Sequence, residues 1–145
     1  MQYPYIIVSL KKKTLTLFRS AKDHRVFPIA IGKQATPTPQ GTWYIQNKKI
    51  LTDDSPFGSH WLGLNLPGYG IHGTNQPSSI GESISGGCIR MYNDDIQCCS
   101  AKRCSSALVA FSGSALATAL VILSKFRLET SRISLRTSSI LACSV

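Results

Sequence analysis

Acidic side chains are scarce in this chain. Seven Asp and Glu stand against sixteen Lys and Arg in 145 residues, leaving a formal net charge of +9 and a pI near 9.6. That balance favours polyanionic surroundings, among them nucleic acid, anionic wall polymers and membrane headgroups. No basic helix and no alternation of aromatic with basic residues is visible, so no nucleic-acid partner is expected. The five cysteines contain no C-x2-C pair. Their densest grouping, Cys98-Cys99 with Cys104, has no histidine nearby, so no metal site is expected. The pattern of a secretory signal is lacking too: Met1 to Tyr5 leads into a short apolar run ending at Leu10, with lysines behind it rather than in front. Cys104 to Ser124 is uncharged and near the length of a membrane span. Its serines, threonine and glycine dilute it, and basic residues flank both ends, which leaves a packed helix or a disordered tail as the better expectation.

What is present reads as one globular domain: 43% of residues are hydrophobic and 16% charged, in a length that can bury a core. The first half has β character. Ile6 to Leu10 is rich in β-branched residues, and Thr14 to Phe18 alternates polar with apolar at period two. Lys11-Lys12-Lys13 between them fits an exposed hairpin turn. Val26 to Gly32 reads as a third strand, with Pro28 marking an edge or a bulge. Lys33 to Gly41 is a Pro-punctuated loop, and Thr42 to Ile45 starts a further strand. Thr52 to Gly70 reads as a long loop whose aromatics, Phe57, Trp61 and Tyr69, either wall a groove or cover the core. His60 reads as an ordinary loop histidine and His24 as a solvated turn residue. Around Ser78 to Ile84 one helical turn is expected, with Ser79 as cap and Glu82 three places on. Asn93 with Asp94 reads as the cap of a following helix.

The stretch that carries chemistry runs from Gly70 to Asp95, GIHGTNQPSSIGESISGGCIRMYNDD. His72 lies in a Gly-rich frame, and Cys88 follows Ser85, Gly86 and Gly87. A free thiol has a pKa of roughly 8.5 and needs a base to react near neutral pH. An imidazole within hydrogen-bond reach supplies one. Glycines before the cysteine permit a sharp turn and leave backbone N–H groups for a developing oxyanion. The outline is that of cysteine acyl transfer. Arg90, two places after the cysteine, is suited to pair a substrate carboxylate bidentately, or to brace Asp94 or Asp95.

At these residues the chain resembles the catalytic domain of the L,D-transpeptidases (YkuD-like), bacterial enzymes that cross-link peptidoglycan stem peptides. The family pattern of His-Gly-Thr, a spacer, then [Ser/Thr]-x-Gly-Cys-[Ile/Val/Leu]-[Arg/Asn] is met by His72-Gly73-Thr74 and Ser85-Gly86-Gly87-Cys88-Ile89-Arg90. Gly86 stands where many members carry His or Lys. The segment from Gly32 to Thr42 resembles a structural part of the same family.

The resemblance covers residues 4–96 and implies a mainly β, sandwich-like fold with the catalytic Cys on a loop. It implies Cys88 as nucleophile, His72 as proton donor and acceptor, Gly87 as a backbone oxyanion residue, and Ser85 as a positioning residue. Arg90, Gly73 and Thr74 are implied as substrate contacts. The implied partners are peptidoglycan stem peptides, with carbapenem-type β-lactams as inhibitors. The protein is expected to act as a monomer outside the cytoplasm or in the cell wall, with no cofactor. Three alternatives stand beside transpeptidation: an L,D-carboxypeptidase using the same site, a non-catalytic binder of wall polymers, and an inactive truncated homologue.

After Gln97 the composition changes. Pro, Trp, Tyr, Asn and Asp vanish, glycine falls to Gly113, serine is abundant, and four of the five cysteines sit here. Residues 1–97 therefore read as an incomplete catalytic domain and 98–145 as an atypical Ser/Cys-rich tail, the kind of break a shifted reading frame produces. No Gly-Thr-x-Val-like closing strand is recognisable in it. The expectation is an unclosed sheet, poor solubility and weak activity.

Overall fold

The structure, a computed structural model, describes residues 4–52, 54–101 and 107–112. Among the described residues ten strands run in chain order: β1 (Tyr5–Ser9), β2 (Thr14–Phe18), β3 (His24–Pro28), β4 (Ile31–Gly32), β5 (Gly41–Ile50), β6 (His60–Leu64), β7 (Gly70–His72), β8 (Ser83–Ser85), β9 (Ile89–Arg90) and β10 (Leu108–Ser112). The helical pieces among the described residues are a 3-10 turn at Pro77–Ser79 and one α-helix, α1 (Asn93–Ser100). Eight strands form one sheet in the order β3-β2-β1-β10-β5-β6-β7-β9, and β4 pairs with β8 beside it. The mainly β architecture expected from the sequence is what the chain adopts.

β1 and β2 follow their patterns residue by residue. Ile6, Val8, Leu15 and Leu17 are buried, while the residues between them are half-covered. The pair is antiparallel, Ser9 facing Thr14, and Lys13 closes the turn at φ 50°. Its ammonium reaches back to the Gly81 carbonyl at 2.7 Å. The expected third strand splits in two: β3 stops at Pro28, Ile29 bonds back to Lys13, Ala30 bridges to Arg90, and β4 begins at Ile31. A ring with no N–H cannot continue the ladder, and β3 is the sheet's outer edge, where Pro is tolerated.

Four further expectations are corrected. The stretch from Thr52 to Gly70 holds β6, which pairs with β5 on one side and β7 on the other. Its Leu62, Gly63 and Leu64 are consecutively buried, so no alternation announces it. His60 therefore begins a strand rather than sitting in a loop, and His24, though exposed, begins β3 and stacks on Phe18. The turn near Ser79 is a 3-10 turn that starts after Gln76; Ser79 is its buried last residue, not its cap.

The largest correction concerns the tail. β10 lies inside the segment read as having no closing strand, and it fills the sheet between β1 and β5, parallel to the first and antiparallel to the second. The slot asks only for a short apolar run with backbone donors, which Ala107-Leu108-Val109-Ala110-Phe111 provides; a particular family signature is not required. Val109 and Phe111 join the core, Phe111 against Trp43 at 5.1 Å between ring centroids. The boundary drawn after Gln97 also falls inside α1, whose Cys99 is buried in the core. Of the stretch considered as a membrane span, residues 108–112 are a sheet strand, and among the described residues no helix is long and apolar enough to cross a membrane. Cys104, Cys143 and residues 113–145 lie outside the described residues.

Candidate active site

The site forms where β7 and β9 run parallel. Ile71 faces Ile89 and His72 faces Arg90, so the histidine and the cysteine that precedes β9 are carried on neighbouring strands. Both strands are short, and polar side chains, rather than long ladders, fix the turns around them.

Cys88 sits on the turn between β8 and β9. Ser85, buried at the end of β8, holds that turn from both sides: its hydroxyl donates to the Cys88 carbonyl at 2.6 Å and accepts the Gly87 N–H at 3.0 Å. Ser85 itself is pinned by the Pro-rich loop. Its carbonyl accepts the Lys33 N–H at 3.1 Å and the Thr36 hydroxyl at 3.2 Å. The loop between β4 and β5 is thus scaffold for the cysteine turn. Gly87 has φ +119°, and a Cβ there would stand 2.8 Å from Cε1 of Tyr69, so both backbone and space demand glycine. Gly86 is different: a Cβ would meet nothing within 4 Å. Of the two glycines read as a pair, only Gly87 is required by the turn. The Gly87 N–H, expected to receive an oxyanion, is already committed to Ser85.

The Cys88 thiol is half-buried and donates to the Gly68 carbonyl at 3.6 Å. Burial pushes its pKa up; the backbone at Gly70 and the charge of Arg90 oppose that, more weakly. His72 is only 3% exposed. Burial drives its pKa down to about 4, the Arg90 charge adds to the fall, and backbone hydrogen bonds at Gly73 and Phe57 resist it. At neutral pH the resting pair is therefore thiol and neutral imidazole. Nδ1 of His72 donates to the Gly73 carbonyl at 2.6 Å, which leaves Nε2 as the unprotonated nitrogen.

Aromatic rings account for the burial of His72. Trp61, its register partner on β6, stacks on the imidazole at 5.6 Å and 18°. Phe57 meets it edge-on at 5.0 Å. Gly70 makes the stack fit, since a Cβ there would stand 2.7 Å from Cζ2 of Trp61. Of the three aromatics read as groove wall or core cover, Phe57 and Trp61 thus touch the candidate base directly, while Tyr69 packs against the core.

Arg90 lies across from His72, its backbone paired with Ala30. Its Nε is buried and has no hydrogen-bond partner among the described residues. The alternative role, bracing Asp94 or Asp95, is not what the chain does: Arg90 makes no ion pair with either carboxylate among the described residues. Asp95 is pushed up by burial and by Asp94, the reverse of what a guanidinium would cause. Gly73 and Thr74, expected as substrate contacts, are both buried beside His72, with polar groups engaged within the chain. The Gly73 N–H goes to the His60 carbonyl at 3.0 Å, and the buried Thr74 spends its hydroxyl on the Gln76 N–H at 3.0 Å.

Sequence reasoning misplaced Asn93. The cap residue of α1 is Tyr92, which makes no side-chain cap bond, and Asn93 is already helical. The Asn93 Oδ1 instead accepts the N–H of Ser59 at 3.2 Å and of Thr74 at 3.0 Å, joining α1 to the loops before β6 and after β7. The sequence signal was present in Gly58 and Gly73, where a Cβ would stand 2.2 Å from that oxygen.

A buried neutral imidazole with a fixed tautomer, a thiol on a clasped turn and a guanidinium whose buried Nε has no partner among the described residues can together take a thiol proton, form a thioester and hold an anionic group. Comparisons with known proteins bear on the family of the chain. The sequence profile of the L,D-transpeptidase catalytic domain (YkuD) matches residues 3–98. YkuD of Bacillus subtilis (strain 168) is 50% identical over 94 residues, covering 64% of this chain and 57% of that protein. YqjB of the same organism is 36% identical over 109 residues, covering 64% of this chain and 62% of that protein. The chain thus spans about three-fifths of the length of these relatives. Among solved structures, the catalytic domain of an Enterococcus faecium L,D-transpeptidase superposes with a TM-score of 0.64 at 25% identity, covering 77% of this chain and 98% of that one. The L,D-transpeptidase LdtMt1 in complex with imipenem gives the same TM-score at 18% identity, covering 75% of this chain and 58% of that one, which is a likeness of fold.

Proposed function

The chain belongs to the L,D-transpeptidase (YkuD) catalytic-domain family, and from that premise we propose that it cross-links peptidoglycan stem peptides by acyl transfer through Cys88. Nε2 of His72 takes the thiol proton as Sγ attacks the carbonyl of the third residue of a tetrapeptide stem. The C–S bond forms, the bond to the terminal D-alanine nitrogen breaks, and the imidazolium returns its proton to the leaving amine. The amine of a diamino acid on a second stem then attacks the thioester. It loses a proton through the same imidazole and releases the thiolate, which is reprotonated. With the Gly87 N–H engaged by Ser85, the N–H of Cys88 is the donor we assign to the oxyanion. Arg90, with its buried and unpartnered Nε, pairs a carboxylate of the stem. The work is done by a single chain outside the cytoplasm, and carbapenems act as acyl donors that stall at the thioester.

The observation that carries this reading is the bond from His72 Nδ1 to the Gly73 carbonyl on the strand beside Cys88, which leaves Nε2 as a base. The test is mass spectrometry after carbapenem treatment, followed by product analysis with a tetrapeptide stem, with and without an acceptor amine. An adduct on Cys88, abolished in Cys88→Ala, and a cross-linked product are expected. An adduct on Cys98 with Cys88 unmodified overturns the assignment. Release of D-alanine with no cross-link when acceptor is present makes the protein a carboxypeptidase.

A further inference from the structure

Asn93 opens α1, yet its side chain serves two distant loops. The Thr74 N–H that it accepts belongs to the same peptide unit as the Gly73 carbonyl, and that carbonyl accepts the Nδ1 proton of His72 at 2.6 Å. A peptide unit is planar, so the direction of its N–H fixes the direction of its C=O. Donation by the N–H also strengthens the carbonyl as an acceptor, because linked hydrogen bonds polarise one another. The second N–H held by Asn93 is that of Ser59, two residues from Phe57, whose ring meets the imidazole edge-on. One side-chain oxygen therefore anchors both the hydrogen-bond acceptor of His72 and one of its aromatic walls. Both loops have glycine where the amide passes: a Cβ at Gly58 or Gly73 would stand 2.2 Å from Oδ1.

We propose that Asn93 is a positioning residue for His72, acting through the Gly73–Thr74 peptide to hold the imidazole in its Nδ1–H tautomer with Nε2 aimed for the thiol proton. The proposal rests on the reading of His72 as the base. An alanine at this position leaves two N–H groups without an acceptor and frees the peptide to rotate. An aspartate accepts the same two bonds but brings a negative charge, so it preserves the geometry while making the Gly73 carbonyl a stronger acceptor and the imidazolium more favourable.

The test compares Asn93→Ala, Asn93→Asp and His72→Ala in the full chain. Three quantities are read: the carbapenem acylation rate of Cys88 against pH and drug concentration, the 15N shifts of the His72 imidazole, and the thermal midpoint. Asn93→Ala is expected to slow the saturating acylation rate about 10- to 100-fold, the scale of a misaligned catalytic group, with little change in half-saturating concentration. Its His72 15N signals should lose the Nδ1–H pattern. Asn93→Asp should stay within about tenfold of the parent rate while the His72 titration midpoint moves up by about one pH unit. A folded Asn93→Ala with parental 15N shifts and rate overturns the proposal. If Asn93→Ala does not fold, Asn93→Asp decides alone, and an unmoved His72 midpoint overturns it. Parental acylation by His72→Ala would instead remove the base reading, while the 15N signals of Asn93→Asp would still report whether Asn93 and His72 are linked.

Discussion

Two regions of the fold are held by different means. In β3-β2-β1-β10 and the start of β5, regular backbone ladders stack alternating apolar residues into the core. Around β7, β8 and β9, strands of two or three residues are fixed by single polar side chains: Ser85 on the cysteine turn, Thr36 on Ser85, Thr38 on the Gly32 N–H at 2.8 Å, and Asn93 on two loops. Apolar contacts are many and interchangeable, so the first region gains stability that degrades gradually. A hydrogen bond is directional, so the second region gains angles and distances that fail one at a time. Stability and reactivity should therefore separate by region.

The sharpest break in that comparison lies within the polar region. His72→Ala should lower the acylation rate of Cys88 by about 10²–10⁴, the usual contribution of a general base. His60→Ala, on the neighbouring strand with its Nδ1 beside the Ser59 hydroxyl at 2.9 Å, should do far less. Equal losses would show that the wrong histidine carries the proton. Next in size, and in the opposite region, Phe111→Ala should cost about 3–5 kcal/mol of stability, the range for a large aromatic removed from a core. The acylation rate per folded molecule should hardly move. Denaturant unfolding measures the first quantity and single-turnover acylation the second. An unchanged unfolding midpoint would mean that β10 is not seated in the sheet.

Acid separates the two regions without mutation. The His72 pKa falls from its ordinary 6.5 to about 4 on folding, so between those values the unfolded chain binds the extra proton. Stability contributed by this group is present above pH 6.5 and is lost as pH falls towards 4, by an amount on the order of a few kcal/mol. His72→Ala should flatten that part of the stability–pH curve, and thermal midpoints measured across the window would detect it. The acid limb of the acylation rate should likewise fall near pH 4 rather than near 6.5. Smallest of all is the contrast between two adjacent glycines. Gly87→Ala meets Tyr69 and forces a residue with a Cβ to φ +119°, at a cost of about 1–3 kcal/mol. Gly86→Ala meets nothing and should leave both stability and rate within experimental error.

The regional difference also explains what could be read in the sequence. β1 and β2 were legible because period-two alternation is a local signal and both strands are long enough to show it. β6 was hidden because it is covered on both faces, and β8 and β9 because two or three residues carry no period. β10 is not announced by a family-like ending, because the sheet needs only a short apolar strand there. At the site, Cys88 and His72 stood out because their neighbours form a compound pattern. The clasp by Asn93 did not, since its two bonds span 34 and 19 residues and run from side chain to backbone. Nothing in the local string Tyr92-Asn93-Asp94-Asp95 separates such a residue from a helix cap. The commitment of Gly87 to Ser85 was equally invisible, because a glycine before a cysteine reads the same whether or not its N–H is spent.

The position of β10 governs the order in which the molecule can be made. It pairs with β1 across about a hundred residues of chain, Tyr5 with Leu108, and it is an interior strand of the sheet, between β1 and β5. Contacts this distant in sequence slow folding, because loop closure must be completed before they contribute. During synthesis, at roughly 5–20 residues per second, β1 with its hairpin partner and β5 with β6 emerge first as two separate ribbons. Neither can join the other until the chain has passed Ser112. The nascent protein therefore waits for several seconds with a gap one strand wide, and a chaperone that shields that gap would raise the yield of folded protein without touching the site at Cys88.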